Sequence, residues 1–122
     1  MGITRIAPQL RTTDMKSTIR FYTEKLGFTL EFNYEDFYVG LRTGDQLIHL
    51  KLVDEQDPSI PFVDDGGHLH LYFETEGVAD LADKLKAIGI VLVKDLHETP
   101  WKTMEFVIHD DQGHTIYFGE GL

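Results

Sequence analysis

An α+β fold of two βαβββ modules, forming a curved, mostly antiparallel and half-open sheet with helices outside, is predicted by three features of this chain. The order strand, helix, three strands occurs twice. Leu26-Gly27-Phe28 closes the first helical stretch much as Ile88-Gly89-Ile90 closes the second, which is the mark of an internal duplication. Between the two runs, residues 54–67 carry Pro58, Pro61, four aspartates and the Gly66-Gly67 pair, a composition suited to a connector. The expected organisation is therefore one domain over 1–122, with module one at about 1–53 and module two at about 68–122.

The first strand is expected over Ile3–Thr12, with Pro8 leaving one position without a donor. Thr13-Asp14 offers an N-cap for a helix from Met15 to about Leu26. Its apolar stripe is Met15, Ile19, Tyr22 and Leu26, and Gly27 stops it. Strands are expected at Phe28–Asn33, Phe37–Arg42 and Gln46–Val53, the last pair joined by the Thr43-Gly44-Asp45 turn. In that last strand Ile48, Leu50 and Leu52 share one face, and Leu47, His49 and Lys51 share the other.

The second module repeats the scheme. His68–Glu74 alternates as a strand, with Leu69, Leu71 and Phe73 on an apolar face and His68, His70 and Tyr72 opposite. Val78, Leu81, Ala82, Leu85 and Ile88 make the second helical stripe, and Ile90–Val93 is the next expected strand. After a loop over 94–102 containing Pro100-Trp101, Thr103–His109 and His114–Glu120 form a hairpin around Asp110-Asp111-Gln112-Gly113. Phe106, Ile108, Ile116 and Phe118 face its core; Glu105, Val107, Thr115 and Tyr117 face away.

Composition narrows the function. A hydrophobic content of 42% supports a packed core, while 21 acidic against 11 basic residues disfavour a nucleic-acid or anionic-membrane partner. The chain has no cysteine, which removes disulfides, thiolate metal sites and cysteine nucleophiles together. It shows neither a secretory h-region nor an apolar run near the ~20 residues a membrane span needs, so a cytoplasmic location is expected. No nucleophile–base triad, phosphate-cradling glycine loop or carboxylate dyad is visible.

Candidate binding residues follow from strand phase. Trp101, in a loop behind a proline, suits stacking on a flat ligand or covering the end of the sheet. Phe37 and Tyr38 can line the groove, or Phe37, with Val39 and Leu41, can join the core. Glu105 can hold a cation or stand solvated, and Tyr117 points inward because Ile116 and Phe118 claim the core. His70 is a ligand contact if the groove is deep.

The runs Leu10-Arg11-Thr12-Thr13-Asp14, Phe21-Tyr22-Thr23-Glu24-Lys25-Leu26-Gly27-Phe28 and Asp110-Asp111-Gln112-Gly113-His114 resemble the vicinal oxygen chelate superfamily of glyoxalases, bleomycin-resistance proteins and dioxygenases. Ala7-Pro8-Gln9-Leu10, Glu35-Asp36-Phe37 and Thr99-Pro100-Trp101 followed by Glu105-Phe106 are most similar to the bleomycin-resistance group. The resemblance implies four metal positions, here Ala7, His49, His68 and Tyr117. Alanine offers no donor and neutral tyrosine a poor one, so a three-ligand site is incomplete. Gln9 and His70 share the right faces but sit two residues, roughly 6–7 Å, along their strands.

What the resemblance implies is a metal-free protein, without cofactor or catalytic residues, that binds and sequesters a planar or cationic drug-like small molecule as a homodimer. Trp101 and Phe37 would stack on the ligand, Glu105 would supply charge, and His49, His68, His70 and Tyr117 would hydrogen-bond. The alternative within the superfamily is a lyase, transferase or dioxygenase using a divalent metal ion on His49 and His68.

Overall fold

The computed structural model describes residues 2–122 and divides into two compact units, the first ending at Asp57 and the second running Pro58–Leu122. In the first, β1 (Gln9–Thr12), α1 (Met15–Arg20), β2 (Thr29–Tyr34), β3 (Tyr38–Thr43) and β4 (Gln46–Leu52) follow in order. Their sheet runs β1-β4-β3-β2, with β1 parallel to β4 and the other pairs antiparallel. The second unit holds α2 (Ser59–Asp64), β5 (Leu71–Glu74), α3 (Val78–Ala87), β6 (Lys94–Glu98), β7 (Thr103–His109) and β8 (Thr115–Gly121). Its sheet runs β5-β8-β7-β6, again with a single parallel pair, β5 and β8. Each unit is thus a βαβββ module with an open mixed sheet, and α2 precedes the second.

Local chemistry sets these elements. Asp14 caps α1, its Oδ1 accepting the Ser17 N–H at 3.1 Å. The helix then widens into a π-helical turn, Phe21–Lys25, before stopping at Gly27, whose φ of 77° suits a residue without Cβ. Tyr22, fully buried, meets Phe21 and Phe28 edge-on at 5.6 and 5.4 Å. Val39, Leu41, Ile48 and Leu50 complete the first core. In the second, Val78, Ala82 and Leu85 of α3 are buried, as are Phe106, Ile108, Ile116 and Phe118 of β7 and β8. Phe106 and Phe118 stack at 4.8 Å. Burying each such side chain contributes roughly 1.5–3 kcal/mol.

Four boundaries differ from expectation, each for a physical reason. β1 begins at Gln9 rather than Ile3; Ile3 and Ile6 are exposed, and the first pairing bond runs from the His49 N–H to the Pro8 carbonyl, since proline has no N–H to give. Residues 59–64 form α2 inside the expected connector. Pro58 and Pro61 are tolerated because the first helical turn has no intrahelical use for its N–H groups. β5 begins at Leu71 rather than His68, because the chain is still turning out of α2: Gly67 N–H bonds Phe62 O, and His68 has φ 58°. Lastly, β6 is Lys94–Glu98 rather than Ile90–Val93. The Val93 N–H bonds Val107 O, so pairing with β7 starts only at the end of that apolar run, and Val91 is left exposed.

Candidate functional site

In the second unit, an open hollow of about 270 Å³ is lined by His70, Tyr72, Trp101, Glu105 and Tyr117. Its base is the Glu105 carboxylate, only 4% exposed. Tyr72 donates its hydroxyl to Glu105 Oε2 at 2.8 Å, and Thr103 donates to the same oxygen at 2.9 Å. Since a carboxylate only accepts, Thr103 spends its proton there. Its own oxygen therefore takes the proton of the Thr99 hydroxyl, 2.7 Å away. The tight β6–β7 turn makes this relay, its Thr99 N–H bonded to Thr103 O and its Lys102 N–H to Thr99 O, with Trp101 at the tip.

Burial pushes the Glu105 carboxyl up. The hydroxyls of Tyr72 and Thr103 and the Trp101 indole N–H outweigh that push, and His97, its cross-strand partner on β6, adds to their effect. The carboxyl therefore lies below the usual glutamate value and is ionised at neutral pH. Tyr72 is shifted the other way: burial, the bond to Glu105 and that residue's charge all raise its pKa. Above the carboxylate stand aromatic walls. His70 meets Tyr117 edge-on at 5.4 Å, and Trp101 is 67% exposed, leaving its ring open to a partner. Tyr72 lies flat only because Gly119 sits beneath it; a Cβ there would collide with the tyrosine hydroxyl.

The first unit has its own hollow, of about 410 Å³, lined by Arg5, Ala7, Glu31, Phe32, Leu47 and His49. His49 Nδ1 is 2.9 Å from the Tyr38 hydroxyl, and Phe32 stands edge-on to the imidazole at 5.5 Å.

The structure thus brings His70, Trp101, Glu105 and Tyr117 together, and places His49 in the other unit's hollow. His68 is exposed on the loop before β5 and lines neither. Phe37 lies in the β2–β3 turn, 44% exposed and also outside both hollows, while Val39 and Leu41 are core. Two residues that build the second hollow, Tyr72 and Thr103, are not among the candidates read from the sequence, whereas Tyr38, expected with Phe37 to line the groove, bonds to His49 beside the first hollow. Tyr72 had a signal, standing two residues from His70 on the same face. So did Gly119, a strand-interior glycine where another group must approach closely.

Ala7 and His49 border the first hollow and Tyr117 the second. Among the linings, the only His, Asp or Glu donors are His49 and Glu31 in one and His70 and Glu105 in the other, and Glu31 is held by Arg42 at 2.7 Å. Among the described residues no three such side chains gather as metal ligands.

The profile of the Glyoxalase/Bleomycin resistance protein/Dioxygenase superfamily matches residues 2–118. The chain belongs to this superfamily. Within the superfamily it is 28% identical to the bleomycin resistance proteins of Geobacillus stearothermophilus and Staphylococcus aureus, over 91% of this chain and 92% of each relative. Its fold matches that of a glyoxalase/bleomycin resistance protein/dioxygenase from Alicyclobacillus acidocaldarius with a TM-score of 0.79, at 17% identity over 98% of this chain and 92% of the other. A lactoylglutathione lyase from Agrobacterium tumefaciens matches with a TM-score of 0.75, at 20% identity over 98% and 96%. These two share the superfamily fold. Among the described residues no helix is long and apolar enough to cross a membrane.

Proposed function

We propose that this protein is a metal-free binding protein of the bleomycin-resistance type, which sequesters a planar, cationic small molecule in the hollow over Glu105. The observation that carries the proposal is the ionised, nearly buried carboxylate ringed by neutral donors and roofed by aromatic groups. Among the described residues no cation neutralises it at hydrogen-bond range, so a ligand's positive charge is the natural complement, and Trp101 and Tyr117 offer faces to a flat ring. The likeness to bleomycin resistance proteins supports the same reading.

A cytoplasmic homodimer is part of the proposal. The edge strand β2 is exposed along its whole length, including Leu30, Phe32 and Tyr34, and such an edge favours a covering partner. Sedimentation of the purified chain checks this; a monomer at micromolar concentration and above removes it.

Trp101, the sole tryptophan, makes the binding test direct. Titration with bleomycin should change its emission saturably, and Glu105→Gln should weaken binding by about tenfold or more, the worth of a charge-assisted contact. Emission unmoved by bleomycin and by simpler planar cations would remove the proposal. Metal analysis of protein purified without a histidine tag separates this reading from the alternative class: a stoichiometric divalent ion, lost on His49→Ala, would replace sequestration with a metal-dependent enzyme.

A further inference from the structure

We propose that the hollow of the first unit binds a small organic carboxylate, because a one-way chain of hydrogen bonds from Arg11 through Gln9 and Tyr38 to His49 makes the His49 ring present an N–H to the cavity. The first two links of the chain have a direction fixed by chemistry. Arg11 Nε lies 2.9 Å from Gln9 Oε1, and a guanidinium only donates, so the glutamine carbonyl must face it. The Gln9 amide nitrogen is thereby turned to the Tyr38 hydroxyl, 3.1 Å away, and donates to it. Tyr38 has one proton, and with Gln9 donating to its oxygen we assign that proton to His49 Nδ1, 2.9 Å away, the tautomer the experiment below reads. A neutral imidazole that accepts at Nδ1 carries its proton at Nε2. Asp57 anchors the head of the chain, its Oδ2 lying 3.4 Å from Arg11 Nη1.

The ring is held in that pose from the sides. Tyr38 stacks on Phe32 at 6.2 Å and 11°, and both meet the imidazole edge-on. Phe32 lies flat over Gly40, where a Cβ would collide with its ring. The remaining lining suits an acid with an apolar body. Ala7, Phe32 and Leu47 give an apolar wall, the charge of Glu31 is met by Arg42, and Arg5 is the cation on the lining. At about 410 Å³ the space falls within the range of small-ligand pockets. The site's polarity is opposite to that of the Glu105 hollow: one offers a proton donor and a cation, the other a carboxylate.

The test uses the whole chain with ¹⁵N-labelled histidine at mildly alkaline pH, and benzoate and benzylamine as probes. The wild type should show a pyridine-type nitrogen at Nδ1 and a protonated Nε2 in His49, with benzoate and not benzylamine shifting the Nε2 signal. Gln9→Glu reverses the chain, since the introduced carboxylate accepts from both Arg11 and Tyr38. Tyr38 then offers its lone pair to His49, the proton moves to Nδ1, and benzoate affinity falls about tenfold, as for loss of one bond to a charged group. Should that variant not fold, Tyr38→Phe cuts the chain instead and should give a mixture of both tautomers with weaker benzoate binding. A wild-type proton on Nδ1, an equal response to benzylamine, or variants that leave tautomer and benzoate affinity unchanged would each overturn the proposal. The signal belongs to His49, so the fate of the Glu105 hollow does not decide it.

Discussion

Glu105 shows how much one residue's meaning depends on its neighbours. In the sequence it is a carboxylate on the polar face of a strand, and nothing adjacent announces that it is covered. Its donors come from Tyr72, 33 positions away, and from Thr103 two positions away, brought together by the β5-β8-β7 pairing. Two substitutions separate ring from hydroxyl. Tyr72→Phe keeps the aromatic wall and removes one donor to a charged group, costing about 1.5–3 kcal/mol in chemical denaturation at neutral pH. Gly119→Ala drives the Tyr72 ring off the carboxylate altogether, and should cost about 1–3 kcal/mol for the overpacking while also weakening bleomycin-induced change in Trp101 emission. His68 teaches the reverse lesson. Its place in an alternating His-Leu-His run pointed to a strand, but Gly66 and Gly67 before it keep the backbone turning, and a left-handed φ takes it off the sheet.

The elements that were legible are those whose signals are local. Asp14 caps α1, Gly27 and Gly89 end helical stretches with φ of 77° and 92°, and the β7–β8 hairpin lies almost where alternation put it. Elements set by distant partners were not. Ile90–Val93 has a stronger strand composition than Lys94–Glu98, yet β7 selects the latter by register. The start of α3 is a further example. Gly77 has no side chain to cap it, and the free amides of Gly77 and Val78 are taken by the two carboxylate oxygens of Glu120 from β8, at 3.0 and 3.1 Å. Those amide bonds hold the Glu120 carboxyl below its usual value. Its contribution is therefore complete at neutral pH and lost as pH falls through the lowered folded value. Glu120→Gln, which can accept through one oxygen only, should lower Tm at pH 7. The gap from wild type should close once both are measured below that folded value.

At the scale of the molecule, Phe106 is central to the second core, fully buried and stacked on Phe118, and Phe106→Ala should cost about 3–5 kcal/mol in urea unfolding. Four carboxylates of that unit are held low by hydrogen bonds: Asp64 by His109, Asp95 by Lys86, Glu105 against the push of burial, and Glu120 by backbone amides. All four add stability that is present above their unfolded values and disappears on acidification through the folded ones. Tyr72 is raised instead, so its share is present below the ordinary tyrosine value and is lost as pH rises past it. The second unit should accordingly lose stability at both extremes, seen as falling denaturation midpoints by Trp101 emission below about pH 4 and above about pH 10. Duplication was the part of the architecture easiest to see in the sequence, since both halves repeat one order of elements. Yet the halves are not copies in their working detail. An aromatic ring lies over a glycine in each, but in the first the ring is on the second strand and the glycine on the third, and in the second the ring is on the first strand and the glycine on the fourth. A feature inherited from the ancestral single module would occupy matching strands. These two do not match, so the seat is not part of what the two modules have in common: each half fits its own ring to its own glycine, and a substitution at one has no counterpart in the other.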